Sequence, residues 1–300
     1  MRITNQMMVN TLKMNISTNT QRMAVTQEQI ASGKKINKVS DDPGSLVQVM
    51  RIRGNVTENK QYVRNLAEAV SFLDTADSAL DDLTAVMQRV RELTVKAANE
   101  TNDKSALEAV ADEIEILKGQ VRTIANISYS NKYIFAGTNV TEAPCGDTEW
   151  TGNGKSLTME ISVGATLSIN IDMREIFGSP TGLDEYGNPD GGIFDLFDQI
   201  ITDIHAEDAE AISANLDIMD QKIDDILSKR STVGARANRL ELQLNRMEDE
   251  KVSLKTLLSK REDADITDLA IDLQMQENVY TASLSAGAKI IMPSLLDFLS

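Results

Sequence analysis

Apolar residues recur at alternating steps of three and four along much of the chain, which is the spacing of one face of a coiled-coil helix. Such seams cover residues 63–90, 107–124 and 212–258. The first slips register once near Ala76, and the last is interrupted only where the register falls on Arg230 and Lys251. We therefore predict three long amphipathic helices, over residues 56–100, 103–128 and 207–260.

The middle of the chain has a different pattern. Residues 141–205 carry twelve acidic groups against two basic ones, and ten of the sixteen glycines lie between positions 137 and 192. Apolar residues alternate with polar ones at Leu157, Met159, Ile161 and Val163, and again at Leu167, Ile169 and Ile171. Because a period of two indicates strands, we expect a small β-rich inserted domain, with helix resuming near Phe194.

Both ends of the chain carry thinner apolar stripes. The N-terminal heptad also places Asn19 and Thr26 in its seam, and Gln276, Glu277 and Gly287 interrupt the C-terminal stripe. Neither stripe is apolar enough to hold a helix alone in water, so we expect the ends to become ordered when copies assemble. The candidate assembly interface consists of their apolar residues: Leu12, Ile16, Met23, Ile30, Leu269, Leu273, Tyr280, Leu284, Ile291, Leu295, Leu296, Phe298 and Leu299.

The two ends also carry opposite charge. Residues 1–40 have a net charge of +5, and residues 262–300 have a net charge of −6. We expect the ends to pair through three lysines and three aspartates: Lys34, Lys35, Lys38, Asp265, Asp268 and Asp272. Such pairing would bring both termini to one end of a long molecule, with the β domain at the other.

Together these patterns predict a mainly α protein with a β-rich insertion. The expected architecture is an elongated helical-bundle or coiled-coil rod built from both termini, with a small β domain inserted in the middle. The predicted domains are a terminal coiled-coil domain (1–40 plus 265–300), a helical rod domain (41–140 plus 205–264) and a β-rich inserted domain (141–204).

The composition narrows the possible partners. A net charge of −16 argues against nucleic acid and against an anionic membrane surface, because both attract clustered Lys and Arg. Cys145 is the one cysteine, so no disulfide forms within the chain. No apolar stretch reaches the 18 residues of a transmembrane helix, and the N-terminal sequence lacks the apolar segment of a secretory signal peptide.

The candidate catalytic and ligand motifs are weak. Gly152–Ser156 is similar to a phosphate loop, but Glu149 stands where the first glycine is required, so a hairpin turn is favoured. The acidic turn 184–192 has the character of a calcium loop but lacks the closing Glu, which favours a solvated turn. His205, the only histidine, has no Ser or Cys partner pattern. We expect no catalytic site, cofactor or metal.

Five segments resemble the flagellin superfamily, in order and at both ends of the chain. The first runs from Glu28 to Gly44 (EQIASGKKINKVSDDPG), and the others are RVRELTVKAAN, YIFAGT, GARANRLE and DADI, at residues 89–99, 133–138, 234–241 and 263–266. The resemblance covers roughly 1–140 and 205–300 and leaves the middle uncovered. It implies a structural protein of the bacterial flagellum that assembles through its terminal helices.

Within the family, three features favour a hook-associated junction protein over filament flagellin. They are the opening Met1-Arg-Ile-Thr-Asn5, Pro43 where flagellins commonly have Ala, and the ending Ser294–Leu299. The resemblance then implies export by the flagellar type III route to an extracellular position between hook and filament. It also implies as partners copies of the chain in a helical lattice, the first hook-associated junction protein, flagellin and a flagellar export chaperone. A short filament flagellin is the alternative.

Overall fold

The computed structural model describes residues 5–99, 103–146, 149–182 and 190–291. Its helices are α1 (Asn5–Ser32), α2 (Pro43–Ala97), α3 (Lys104–Ala125), α4 (Arg174–Phe177), α5 (Ile193–His205), α6 (Ala209–Glu262) and α7 (Ile266–Ile291). Its strands are β1 (Ser128–Tyr129), β2 (Lys132–Tyr133), β3 (Thr158–Ser162) and β4 (Ala165–Ser168). Long helices from both ends and a small β region in the middle confirm the predicted fold class.

Helix α6 has the burial pattern of the predicted heptad. Every seventh residue over five successive heptads is buried: Ile212, Met219, Ile226, Val233, Leu240 and Met247. The intervening seam positions, including Arg230, are half-buried. Arg230 keeps its place in the seam by turning its guanidinium outward, where it pairs with Asp77 and Asp81 of α2. The apolar stem can then pack while the charge stays near water.

Helix α2 begins 13 residues earlier than the predicted start at residue 56. Asp42 stands just before the helix, and its Oδ1 accepts hydrogen bonds from the backbone N–H groups of Gly44 and Ser45 at 3.1 and 3.0 Å. Pro43 follows as the first helical residue, where a missing N–H costs nothing and φ is already set. The hydrogen bond from the Ser45 side chain, followed by the one from its backbone N–H, lowers the pKa of the Asp42 carboxyl.

The predicted strands form a hairpin. Strand β3 pairs antiparallel with β4, with Met159 opposite Leu167 and a register shift between Glu160 and Ser162. Gly164 has a φ of +70°, a left-handed conformation that glycine adopts without strain. A second, shorter hairpin joins β1 to β2 where the sequence predicted the end of a helix at residue 128, because α3 already ends at Ala125.

An aromatic cluster stabilises the region around the inserted residues. Phe177 of α4 contacts Phe135, Trp150 and Phe194, with ring centroids 5.7, 5.4 and 6.5 Å apart. Three phenylalanines, at 177, 194 and 197, are fully buried. Burying one such ring contributes about 1.5–3 kcal/mol relative to leaving it exposed, so the chain's few aromatics are concentrated where helical seams are absent.

The chain forms two compact units, described here as the terminal unit (Met1–Glu58 with Glu250–Ser300) and the central unit (Asn59–Asp249). The main apolar cluster, from Leu66 to Met247, lies in the central unit. The division into three domains made from the sequence stays a prediction. Among the described residues, none of the helices has the length and apolar character needed to span a bilayer.

Candidate assembly surface

The terminal unit leaves most of its apolar side chains in contact with solvent. Of the twenty large apolar residues that are exposed in the described parts of the chain, fourteen lie in this unit. Its buried apolar residues in those same parts are Ile36, Val49 and Val56. A unit with so small a core relative to its exposed apolar surface is typical of a segment that is completed by a partner.

Helices α1 and α7 pair in antiparallel fashion. Leu12 lies against Gly287, and further along α1 the amide of Asn19 donates to the backbone oxygen of Gln276 at 3.1 Å. Still further along α1, Oγ1 of Thr26 accepts a hydrogen bond from Nε2 of Gln276 at 3.2 Å. Residues later in α1 therefore contact residues earlier in α7, so α1 and α7 form one antiparallel two-helix element.

The predicted stripes supply one side of that element. Leu12, Ile16, Met23 and Ile30 of α1, and Leu269, Leu273 and Tyr280 of α7, are all half-buried. Leu284 is 47% exposed, because the seam continues instead through Ser283 and the buried Gly287. Ile291 is the last residue of α7. Four predicted residues lie outside the described parts of the chain: Leu295, Leu296, Phe298 and Leu299.

Polar residues at seam positions keep this helix pair weak. Thr26 is 6% exposed and Asn19 is half-buried. Oε1 of Gln276 is buried and has no hydrogen-bond partner among the described residues. Because an unsatisfied buried polar atom costs about 1–3 kcal/mol, the seam gains less from burial than an all-apolar heptad would. The seam between α1 and α7 therefore buries few apolar side chains and includes polar ones.

A second face of α7 carries exposed apolar and acidic residues together. Ile271, Met275 and Val279 are 58%, 55% and 50% exposed, and Asp268 and Asp272 are exposed beside them. At about 100° per residue these five positions share one face, rotated by about 100° from the seam that meets α1. The face is therefore free while α1 and α7 are paired, and it is defined here as the outer face of α7.

Glu262, the last residue of α6, forms ion pairs with a residue of the α1–α2 connection and with a residue of α2. Its side chain is 6% exposed, and its carboxylate binds Nζ of Lys34 at 2.6 Å and Nε of Arg53 at 3.0 Å. The Arg53 guanidinium, followed by Lys34, lowers the pKa of the Glu262 carboxyl against the opposing effect of burial. Backbone hydrogen bonds run alongside, from Lys35 N to Glu262 O at 2.7 Å and from Ala264 N to Gly33 O at 3.0 Å.

The ion pairs that Lys34 and Lys38 form in the structure are not the ones that the opposite charges of the two ends predict. Lys34 binds Glu262, and Lys38 binds Glu28 of α1 at 2.6 Å. Oδ1 of Asp265 accepts the backbone N–H of Thr267 at the start of α7. Among the described residues, no ion pair within 4 Å joins the three lysines to the predicted aspartates. The proposed pairing of those aspartates stays a prediction.

Two residues of this network were missed in the candidate set. The charge pattern includes Glu262 only in the net charge of the C-terminal segment, and it does not indicate Arg53. Their signal is faint in sequence, because the partners are 209 positions apart. Gly287 does not interrupt the stripe as expected, because a heptad continued from Leu269 places this buried glycine in the seam.

Solved structures of other proteins have a similar fold. The flagellar hook associated protein-3 of Legionella pneumophila aligns with a TM-score of 0.61 at 16% identity, covering 71% of this chain and 98% of that chain. The crystal structure of Bacillus cereus FlgL gives a TM-score of 0.58 at 19% identity, covering 70% and 99%. At such identities the likeness shows a shared fold.

Sequence comparison gives the family. The flagellin of Bacillus subtilis (strain 168) is 29% identical over 265 residues, 86% of this chain and 85% of the relative. The family profile described as the bacterial flagellin N-terminal helical region matches residues 3–140, and the bacterial flagellin C-terminal helical region matches residues 216–299. Together the two matches cover most of the chain, which therefore belongs to the flagellin family of structural proteins that self-assemble into flagellar structures.

Proposed function

We propose that this protein forms the junction between the flagellar hook and the filament, as a hook-associated protein 3 of the FlgL type. The observation that carries the proposal is the fit of its fold to two proteins of that description over nearly their entire length. The opening Met1-Arg-Ile-Thr-Asn5 and Pro43 support it. Pro43 is the first residue of α2, so the position at which flagellins commonly have Ala is the start of a helix.

Assembly of copies would cover the apolar surface that the terminal unit exposes. Each α1–α7 pair has one thin seam of its own and presents the outer face of α7. Neighbours on several sides would bury what one copy cannot, and that burial would offset the entropy of ordering the ends. The copies would pack in a helical lattice, through contacts between unlike surfaces. The first hook-associated junction protein would lie on one side of this layer and flagellin on the other.

Export follows from the same proposal. A junction protein acts outside the cell, so the chain would leave through the flagellar type III channel, held beforehand by an export chaperone. The weak polar seam between α1 and α7 supports this route, because ends that separate easily can enter a narrow channel. We place the working protein in the extracellular part of the flagellum.

A filament flagellin is the second candidate. It is favoured by the Bacillus subtilis flagellin, which matches this chain over 85% of its own length. A filament subunit would be needed in large numbers along the whole filament, whereas a junction protein is needed only at its base. The two candidates therefore differ in what remains when the gene is removed.

Electron microscopy of a deletion strain tests the proposal. We expect hooks without filaments, together with full-length flagellin shed into the medium, and restoration of filaments by the wild-type gene. Loss of filaments with no other flagellin in the medium would instead identify the chain as the filament subunit. Normal filaments in the deletion strain would exclude both roles.

A further inference from the structure

A cleft of about 450 Å³ opens in the terminal unit, beside the connection between α1 and α2. Val25 and Gln29 of α1 and Ile36 of the connection line the cleft. Val25 is 41% exposed and Ile36 is 8% exposed, so the cleft offers apolar surface that solvent reaches. The cleft thus has room for two or three side chains of another segment.

Three basic residues line the same cleft: Lys35, Lys260 and Arg261. Within the parts of the chain that the structure describes, none of them has an ion pair within 4 Å. The lining carboxylates are already engaged, since Oδ2 of Asp41 accepts the backbone N–H groups of Asn37 and Lys38, and Asp42 caps α2. The cleft therefore combines apolar walls with three cations, which outnumber its two carboxylates. Lys35 acts electrostatically on Asp42 without forming an ion pair within 4 Å.

The outer face of α7 has the opposite character. Asp268 and Asp272 are four residues apart, so their carboxylates project together from one side of the helix. Ile271 and Met275 lie beside them and are more than half exposed. Neither aspartate has an ion pair among residues 5–99, 103–146, 149–182 and 190–291. This face thus presents two acids and two apolar side chains without a partner.

We propose that the cleft of one copy receives the outer face of α7 from a neighbouring copy. Lys35 and Lys260 meet Asp268 and Asp272, while Ile271 and Met275 cover Val25 and Ile36. The occupant is a second copy of this chain, because the outer face of α7 matches the cleft in both charge and apolar content. Because the contact joins two unlike surfaces, it can repeat from copy to copy, as an open helical lattice requires. It rests on the self-assembly stated under the proposed function.

A charge exchange tests this contact in cells that lack the chromosomal gene. One allele carries Lys35→Glu with Lys260→Glu, a second carries Asp268→Lys with Asp272→Lys, and a third carries all four changes. We expect each of the first two to reduce the number of filaments per cell at least tenfold, with the variant protein shed into the medium. The combined allele should restore filaments to within twofold of wild type.

The matched control is Arg51→Glu with Lys255→Glu, which makes the same change of charge on exposed residues outside the cleft. It should leave filament number within twofold of wild type. An equal loss in the control, or no recovery in the combined allele, would overturn the contact. If the wild-type allele itself restores nothing, the proposed function fails instead, and the two failures are thereby distinguished.

A cross-link supplies an independent measurement. Lys260→Cys and Asp272→Cys are introduced together, and isolated flagella are treated with a mild oxidant. Disulfide-linked multimers of this chain are expected from the double variant and not from either single variant, because the one native thiol, Cys145, is buried. Double-variant flagella that assemble but yield only monomer would contradict the proposed pairing.

Discussion

Leu12 of α1 lies so close to Gly287 of α7 that a Cβ added at Gly287 would stand 2.5 Å from Cδ2 of Leu12. The glycine therefore provides the gap into which the leucine packs. Since the seam also contains polar contacts, at Asn19 and Thr26 with Gln276, this steric fit helps to determine how α1 and α7 align.

Filling that gap should disrupt the helix pair. Replacing Gly287 with Val forces Leu12 or the helices to move, and overpacking of this kind costs about 1–3 kcal/mol. Because ~1.4 kcal/mol is a factor of ten in an equilibrium, we expect the amount of protein retained in flagella to fall about tenfold, measured by immunoblot of flagella against medium. Ala288→Val introduces the same side chain at an exposed neighbouring position. Valine lowers helix propensity there, whereas it raises helix propensity at Gly287, so a loss seen only at Gly287 reflects packing. We expect Ala288→Val to assemble normally; equal retention of both variants would contradict the role of Gly287.

The ends of the chain should be poorly protected in the free protein. The α1–α7 seam is polar, and the terminal unit buries few apolar residues, so local opening requires little free energy. Amide hydrogen exchange of the monomer should show near-zero protection at 1–40 and 265–300, and protection of the same amides in isolated flagella. Monomer protection there as strong as that of α3 in the central unit would contradict assembly-coupled ordering.

The helices of the central unit were predictable because their burial depends on one repeat. A heptad fixes which residues share a face, whatever the partner helix, so the seam from Ile212 to Met247 matches the burial of α6. The hairpin of β3 and β4 followed in the same way from a period of two. The start of α2 was missed because Asp42 and Pro43 set it through capping, without an apolar repeat.

The candidate site was only partly predictable. The half-buried stripe residues of α1 and α7 follow from periodicity, but Leu284 does not, because the seam passes through Ser283 and Gly287 instead. The ion pairs of Glu262 depend on residues 34 and 53, which only the folded chain brings near. A count of charges at the two ends indicated that lysines would matter, but it could not assign partners across more than 200 positions.

Acid should weaken the terminal unit through Glu262. Its pKa is lowered in the folded unit, chiefly by Arg53 and then by Lys34. The ion pairs therefore stabilise the unit above the unfolded glutamate pKa of ~4.3, and the contribution is lost as the pH falls through the lower pKa of the folded state. Glu262→Gln should remove about 1 kcal/mol, since both cations are partly exposed.

Retention of the protein in isolated flagella, followed by sedimentation from pH 6 down to pH 3, measures this effect. Wild type should be retained at pH 6 and released progressively below the glutamate pKa of ~4.3. The Glu262→Gln variant should be retained less at pH 6 and change less with acid. Glu277→Gln, at an exposed position of α7, should follow the wild-type curve; a variant curve at 262 that overlays wild type would refute the ion-pair contribution.

Two glycines of the central unit should respond to alanine with opposite signs. At Gly192, which caps α5, a Cβ would lie 2.4 Å from Cα of Gly178 and 2.5 Å from the carbonyl oxygen of Phe177. Both are backbone atoms beside the aromatic cluster, so relief requires the chain itself to shift, at a cost of about 2 kcal/mol or more. At Gly119, on the exposed side of α3, nothing lies within 4 Å of the added carbon.

Gly119→Ala should therefore stabilise the central unit by about 0.5–1 kcal/mol, because alanine loses less backbone entropy than glycine in a helix. Thermal unfolding of the purified chain, followed by circular dichroism, compares the two variants in one assay. A shift of about 2–4 °C per kcal/mol is expected for a unit of this size, so Gly192→Ala should lower the midpoint by several degrees while Gly119→Ala raises it. Equal midpoints would mean that α4 and α5 do not approach each other as closely as Gly178 and Gly192 require.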